Sequence, residues 1–248
     1  MSTHDPTRLG GIGEIAEGEA SGEISLAYAQ VRSILGVPFV PTIYRMAAMH
    51  ESVFVKALGR LAPVLNVQRE RGFIFETERV ARQALKSPRE GRFGGELDLQ
   101  SSRLIERYST ANPLNLLFAL GLLGTGVVEW PSVMSPPLPV RSHDIYTDIR
   151  NCHGGVTIPG FWRELGQNPE LLELVWSATR AQAEHGGFDA ARRAVLEFGA
   201  ETIRSAEVGA LLSDISLEAA EQIHQLLGWF PTGIATMIAE TEWLKSQS

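Results

Sequence analysis

The sequence predicts an all-α protein built from two tandem copies of one helical domain. Apolar residues recur at the three- and four-residue spacing of amphipathic helices along most of the 248-residue chain. The chain also matches itself at one fixed offset. No stretch shows the sustained apolar–polar alternation of a half-buried strand, so we predict no substantial sheet.

The internal match is found by placing residues 28–32 (Tyr-Ala-Gln-Val-Arg) above residues 146–150 (Tyr-Thr-Asp-Ile-Arg), an offset of 146 − 28 = 118. The same offset pairs further identical residues: Gly36 with Gly154, Pro41 with Pro159, Arg45 with Arg163, Ile105 with Ile223 and Pro113 with Pro231. A period of this length has the size of a domain rather than of a solenoid unit. The sequence therefore indicates a duplication.

A proline-rich segment marks the join between the two copies. Pro131, Pro136, Pro137 and Pro139 follow one another closely, and proline cannot continue a helix. We accordingly divide the chain into an N-terminal tail over 1–19, helical repeat 1 over 20–129, a linker over 130–137 and helical repeat 2 over 138–248.

In the first copy, a helix is predicted from four apolar residues at helical spacing: Ile24, Tyr28, Val31 and Leu35. Gly36 and Pro38 end it. Strong helix formers predict a second helix over 76–85. The longest apolar stretch, 114–128, is shorter than the roughly 20 residues of a membrane-spanning helix, so we expect a buried helix there.

The second copy gives four further helices. Pro169 stands near the first turn of one, where its missing N–H does no harm, and an apolar stripe follows it. Helix formers predict another over 190–203. Ser216 is a plausible N-cap for a helix that carries Ile223, and 235–244 forms the closing helix.

Composition narrows the classes of function. The net charge is −7 and no basic stripe is present, which argues against a nucleic-acid partner. The N-terminal residues lack the apolar core of a signal peptide, and the single cysteine, Cys152, fits a reducing cytoplasm. The six histidines show no metal-ligand spacing, so neither metal nor cofactor is expected. We expect a soluble cytoplasmic protein that acts on a small-molecule substrate and does not bind membranes. The sequence does not decide whether the chain forms a homodimer.

Residues 37–45, residues 146–172 and the Ala111-Asn112-Pro113 step before an apolar helix together resemble the group I 2-haloacid dehalogenases (the DehI family). The resemblance covers nearly the whole chain. It implies an all-α pseudo-dimer of two repeats with a small-molecule pocket between them. It also implies hydrolysis of 2-halocarboxylic acids, in which an aspartate activates a water that displaces halide without an ester intermediate.

The family's functional residues are only partly present. The resemblance places Asn112 on the water-holding asparagine, but the gapless alignment places Phe161 on the aspartate. A threonine and a glutamate of the family fall on Val67 and Arg71. Phenylalanine cannot accept a proton, and loss of a general base costs about 10²–10⁴-fold in rate. We therefore expect altered chemistry, unless Glu164, Asp148 or Glu70 supplies the carboxylate.

The candidate catalytic residues are Asn112, Glu70 and Glu164. The candidate substrate-binding residues are Tyr44, Val67, Gln68, Arg71, Phe161, Trp162, Trp229 and Phe230. Since apolar residues replace two polar ones, we expect a mainly apolar ligand. Three hypotheses follow: a divergent dehalogenase-like enzyme, a true 2-haloacid dehalogenase with a relocated carboxylate, and a non-catalytic binding protein.

Two further features admit both a functional and a structural interpretation. Arg45 and Arg163 could bind an anionic substrate from symmetric positions, although duplicated positions favour a structural role. Cys152 and His153 could form a nucleophile and base, but adjacent side chains rarely point at each other, so we expect Cys152 to be a packed residue.

Overall fold

The computed structural model describes residues 13–85, 97–124, 139–154, 157–207 and 217–247. These residues form α-helices and contain no β-strand, which confirms the predicted all-α class. The helices are α1 (Gly22–Leu35), α2 (Thr42–Ala47), α3 (Glu51–Glu70), α4 (Phe73–Ala84), α5 (Leu99–Leu123), α6 (Ile145–Cys152), α7 (Gly160–Leu165), α8 (Pro169–Glu184), α9 (Asp189–Ser205), α10 (Leu217–Leu227) and α11 (Phe230–Lys245). Short 3₁₀ turns cover Glu17–Glu19 and Ala48–His50.

Local sequence explains where several helices begin and end. Gly36 ends α1 in the left-handed conformation, with φ of 68°, and its N–H bonds to the carbonyl of Arg32. The side chains of Asp98, Asp144 and Asn168 cap α5, α6 and α8 by accepting a backbone N–H of the first turn. Ser216 and the linker 130–137 lie outside the described residues.

Helices α5 and α11 form the centre of the molecule and pack extensively against each other. The part of the predicted buried helix over 114–123 belongs to α5, and its residues from Leu114 to Leu120 are buried, while 125–128 lie outside the described residues. The two buried apolar clusters both draw on the two predicted repeats. One contains α1–α3 with parts of α9–α11, and the other contains the start of α5 with α6–α8 and the end of α11. The predicted boundary therefore does not separate two independent cores.

The helix positions recur at the offset found in the sequence. The six-residue helices α2 and α7 start at 42 and 160, each after an N-cap proline. The pair α3 and α8 starts at 51 and 169. This correspondence supports the duplication, which stays a prediction from sequence and helix positions.

Part of the predicted tail over 1–19 is packed onto the helices. The N–H of Ile15 donates to the carbonyl of Arg45 at 3.1 Å, and the Tyr28 hydroxyl donates to the carbonyl of Ile15 at 2.8 Å. Glu17 accepts the N–H of Val40 at 2.7 Å. Residues 13–19 therefore belong to the folded body. Within the described ranges, no helix has an apolar run long enough to cross a membrane.

Candidate active site

A cavity of about 300 Å³ lies where several helices converge. Its wall is formed by residues within 39–45, by α5 residues within 108–115, by His153 and residues within 157–167, and by residues within 229–237; Glu17 completes it. The wall therefore includes residues from both predicted repeats. This volume is at the lower end of pockets that enclose organic ligands of moderate size.

Five of the residues predicted from the sequence line this cavity. They are Asn112, Phe161, Glu164, Trp229 and Phe230. Asn112 comes from α5, Phe161 and Glu164 from α7, and Trp229 and Phe230 from the junction of α10 and α11. The fold therefore brings together residues up to 118 positions apart (230 − 112).

Four of the predicted residues lie outside the cavity wall, at the C-terminal end of α3: Val67, Gln68, Glu70 and Arg71. The buried face of α3 ends at Leu65, and Val67 is already 41% exposed. Glu70 and Arg71 are exposed as well. The gapless alignment had carried two family positions onto this surface segment.

Two further predicted residues, Tyr44 and Trp162, are buried behind the wall rather than in it. The ring of Tyr44 packs on Phe118 with centroids 4.3 Å apart, and burial raises the pKa of its hydroxyl. The indole N–H of Trp162 donates to Glu240 at 3.3 Å. Both side chains therefore serve the core.

Asn112 is one of a pair of buried amides. Nδ2 of Asn115 donates to Oδ1 of Asn112 at 3.4 Å, since residues three apart share one helix face. This leaves Nδ2 of Asn112 and Oδ1 of Asn115 buried, with no hydrogen-bond partner among the described residues. Buried donors and acceptors are normally satisfied. One free donor beside one free acceptor suits a water or a polar ligand atom.

The carboxylate of Glu164 is held from α5. The hydroxyl of Tyr108 donates to Oε1 at 2.7 Å, and Nη2 of Arg107 donates to Oε2 at 3.0 Å. Burial first, and then the charge of Glu164, raise the pKa of Tyr108 well above its usual range. Tyr108 lies four residues before Asn112, one turn away on the same face of α5. The carboxylate and the amide pair therefore share one side of the cavity.

Gly160 makes the contact between α7 and Tyr108 possible. A Cβ atom at this position would lie 2.6 Å from the Tyr108 hydroxyl, closer than any van der Waals contact permits. Glycine at the first position of α7 therefore lets the helix approach the phenol and present Glu164 to it.

Of the other candidate carboxylates, Asp148 is buried outside the cavity wall. Its oxygens accept the indole N–H of Trp176 at 2.9 Å and the N–H of Ser142 at 3.0 Å. Nε of Arg180 lies 3.4 Å from the same carboxylate. Asp148 therefore connects α6 to α8 and to the segment that precedes α6.

The repeated arginines meet at one hydroxyl. Nη2 of Arg45 and Nη2 of Arg163 both donate to Oγ1 of Thr42, at 3.2 and 3.0 Å, and both arginines line the cavity. Glu14 faces Arg45 at 3.3 Å. Burial, and then the charge of Arg45, lower the pKa of Arg163. Two cations therefore converge on the polar side of the cavity.

His153 forms a buried pair with Glu240 at the cavity wall. Its Nδ1 is 2.7 Å from the carbonyl of Ile149, which can only accept, so Nδ1 carries the hydrogen. Nε2 is 3.0 Å from Oε2 of Glu240. Burial lowers the pKa of His153, but the charge and hydrogen bond of Glu240 outweigh it and the pKa is raised. The neighbouring Cys152 lies outside the wall, and burial raises its pKa to about 12.

Other residues of the cavity wall are apolar. The rings of Trp229 and Phe230 are stacked with centroids 3.9 Å apart, next to Ile234 and Met237 of α11. Phe161 is 1% exposed and meets Tyr108 edge to face at 5.7 Å. The cavity wall thus combines charged and apolar residues. Among the described residues, no group of three histidine, cysteine, aspartate or glutamate side chains is arranged to hold a metal.

Among the residues of the cavity wall that are not predicted from the sequence are Tyr108, Asn115, Thr42 and Glu17. The spacing of Tyr108, Asn112 and Asn115 (i, i+4, i+7) places all three on one helix face. This spacing from Asn112 is a signal that points to Tyr108 and Asn115. Thr42 and Glu17 carry no such signal, because their roles depend on contacts between distant segments.

No protein-family model and no curated protein matches the chain. Among the solved structures that share its fold are three of D-2-haloacid dehalogenases. One is a D-2-haloacid dehalogenase mutant in complex with D-2-CPA, with a TM-score of 0.73 and 18% identity over 95% of this chain and 95% of that chain. Another is a D-2-haloacid dehalogenase with L-LA, with a TM-score of 0.73 and 18% identity over 95% of this chain and 96% of that chain. A further mutant of such a dehalogenase has a TM-score of 0.72, with 18% identity and 95% coverage of both chains. At this identity the likeness is one of fold.

Proposed function

We propose that this protein is a dehalogenase-like hydrolase that replaces the halogen of a small, mainly apolar organic halide with a hydroxyl group from water. The observation that carries the proposal is that the carboxylate of Glu164 lies in the same cavity as the amides of Asn112 and Asn115. The fold shared with D-2-haloacid dehalogenases supports the class of chemistry.

Each group has a defined part in the reaction. The free Oδ1 of Asn115 accepts one hydrogen of a water, and the free Nδ2 of Asn112 donates to one of its lone pairs. The other lone pair attacks the carbon that carries the halogen and forms the new C–O bond. The C–X bond breaks and the halide leaves with its electron pair, while Glu164 accepts the second hydrogen of the water as a proton.

The position of Glu164 supports a relocated base. Phe161, on which the family aspartate falls, is buried between Tyr108 and Trp162 and has no atom that accepts a proton. Glu164 follows it by three residues on the same short helix, so both side chains lie on the same face of α7. A carboxylate one helical turn further along thus replaces the missing one.

A second candidate is a non-catalytic protein that binds a small molecule. It is favoured by the contacts of Glu164, since Tyr108 and Arg107 occupy both carboxylate oxygens and stabilise the anion. Such a protein binds its ligand and returns it unchanged, whereas the hydrolase releases halide.

The test is halide release from both enantiomers of 2-chloropropionate and of a longer 2-bromoalkanoate. We expect release by the wild-type protein and a loss of about 10²–10⁴-fold in the Glu164→Gln variant. Glu76→Gln is the matched control, because Glu76 is a surface carboxylate paired only with its helix neighbour Arg79 among the described residues. Absence of halide release by the wild type at high protein concentration contradicts the proposal, as does an unimpaired Glu164→Gln variant.

A further inference from the structure

We infer that the cavity selects a carboxylic acid with an aromatic body, held by the duplicated arginines at its charged end and by Trp229 and Phe230 at its apolar end. The inference rests on the proposed function for the reaction and names the substrate class of that site. It depends on two independent features of the wall, the arginine pair and the stacked aromatic residues.

The arginine pair is arranged to hold an anion. Arg45 and Arg163 occupy equivalent places on α2 and α7, and both reach Oγ1 of Thr42. Two guanidinium groups that share one hydroxyl repel each other, and the lowered pKa of Arg163 reflects burial and this neighbour. A carboxylate between them reduces that repulsion and accepts bidentate hydrogen bonds.

Arg45 has a donor to offer. Its Nε is buried and has no hydrogen-bond partner among the described residues, while its Nη2 contacts Thr42 and Glu14. A buried donor of a charged group without a partner is destabilising. A ligand oxygen in the cavity supplies that partner.

The acidic residues around the pair are mostly engaged elsewhere. Glu164 is bonded to Arg107 and Tyr108, and Glu17 is bonded to Arg32 at 2.8 Å and to the N–H of Val40. In the described part of the chain, Glu14 contacts Arg45, and the charges of Glu14 and Glu164 both act on Arg163. Because Glu17 and Glu164 are bonded to other groups, a ligand carboxylate is a fitting partner for the buried Nε of Arg45.

The apolar wall determines the body of the ligand. Trp229 and Phe230 present a stacked pair of rings, and Ile234 and Met237 of α11 line the cavity with them, as does Phe39, which packs on Tyr108. The cavity of about 300 Å³ has room for more than a three-carbon acid, and an aryl-substituted acid covers more of its apolar wall.

The inference is tested by isothermal titration with three halogen-free probes: phenylacetate, its neutral analogue phenylacetamide, and acetate. We expect phenylacetate to bind at least about tenfold more tightly than either of the others. Arg45→Gln should weaken phenylacetate binding at least about tenfold and leave phenylacetamide unchanged. Arg79→Gln, a surface variant on α4, should change neither. Trp229→Ala should weaken both aromatic probes.

Equal affinity for phenylacetate and phenylacetamide overturns the inference, and so does unchanged phenylacetate binding in Arg45→Gln. If circular dichroism shows that Arg45→Gln does not fold, Arg45→Lys replaces it. Lysine keeps the positive charge but lacks the planar guanidinium that binds a carboxylate with two hydrogen bonds. We therefore expect a several-fold loss of affinity for phenylacetate and none for phenylacetamide. An unchanged affinity for phenylacetate contradicts the inference. The probes carry no halogen, so their binding is measured separately from the halide-release assay with the 2-halo acids. Arginine-dependent binding of phenylacetate together with no halide release from the 2-halo acids refutes the proposed hydrolase alone. Halide release from the 2-halo acids without arginine-dependent binding of phenylacetate refutes this inference alone.

Discussion

The hydroxyl of Tyr108 donates a 2.7 Å hydrogen bond to Oε1 of Glu164, and this bond joins α5 to α7 across the wall of the cavity. Asn112 stands one turn after Tyr108 on α5, so the same helix holds the amide pair and positions the carboxylate. The distance between the Glu164 carboxylate and the amides of Asn112 and Asn115 therefore depends on this contact.

Replacing Tyr108 with phenylalanine should remove the bond and destabilise the fold. A hydrogen bond to a charged group contributes about 1.5–3 kcal/mol, and we expect about 1.5 kcal/mol here because Glu164 is partly exposed. Urea unfolding measures the change. Tyr44→Phe is the matched control, since the buried Tyr44 hydroxyl has no partner among the described residues and its removal should cost little. Equal losses in both variants would contradict this role of Tyr108.

Gly160→Ala should disturb the same contact by steric means. The new methyl group would lie 2.6 Å from the Tyr108 hydroxyl and push the phenol away from Glu164. The substitution should therefore cost less when residue 108 is already phenylalanine, because the clashing oxygen is then absent. A double-mutant cycle of unfolding free energies measures this coupling. Additive effects of the two changes would show that Gly160 does not act through Tyr108.

The sequence predicted the helices and part of the site for understandable reasons. Spacing and helix formers are local signals, and they located α4 and α9 within a few residues. The family alignment predicts Asn112, Glu164 is one of three carboxylates proposed to replace the missing aspartate, and both line the cavity. Tyr108 and Asn115 were missed although their spacing from Asn112 was visible.

Other site predictions depended on information that a gapless alignment does not carry. The alignment places family positions on Val67 and Arg71, and Gln68 and Glu70 are candidates beside them, but α3 leaves the core after Leu65 and carries all four away from the cavity. Trp162 is adjacent to a cavity residue in sequence, yet consecutive helix residues point about 100° apart, so it faces Glu240 instead. The convergence of Arg45 and Arg163 depends on tertiary packing.

Cys152 should react slowly with thiol reagents in the folded protein. Burial raises the pKa of its thiol from 9.0 to about 12, which lowers the thiolate fraction near neutral pH by about a thousandfold. Iodoacetamide labelling followed by mass spectrometry measures the rate, and the urea-unfolded protein is the control. Labelling as fast in the folded as in the unfolded chain would contradict the burial of this thiol and reopen a nucleophilic role for it.

The buried pair of His153 and Glu240 should make stability depend on pH. Burial opposes the charged imidazole, but Glu240 raises the pKa of His153 above its ordinary 6.5. A group whose pKa is raised by folding contributes its full stabilisation at pH values below its unfolded-state pKa. This stabilisation is lost as the pH rises through the folded-state pKa. The stability difference between wild type and His153→Gln should thus be larger at about pH 6 than at about pH 9. A difference that grows toward alkaline pH would contradict the assignment.

The most direct test of the account is a single turnover of a 2-halo acid in ¹⁸O-labelled water, with the enzyme in excess. If Glu164 activates a water held by Asn112 and Asn115, the label enters the hydroxy acid product and the peptide that carries Glu164 stays unlabelled. Incorporation of the label into Glu164 would instead show that its carboxylate attacks the substrate and forms an ester, and this would contradict the central claim. A failure to form any hydroxy acid would contradict it equally.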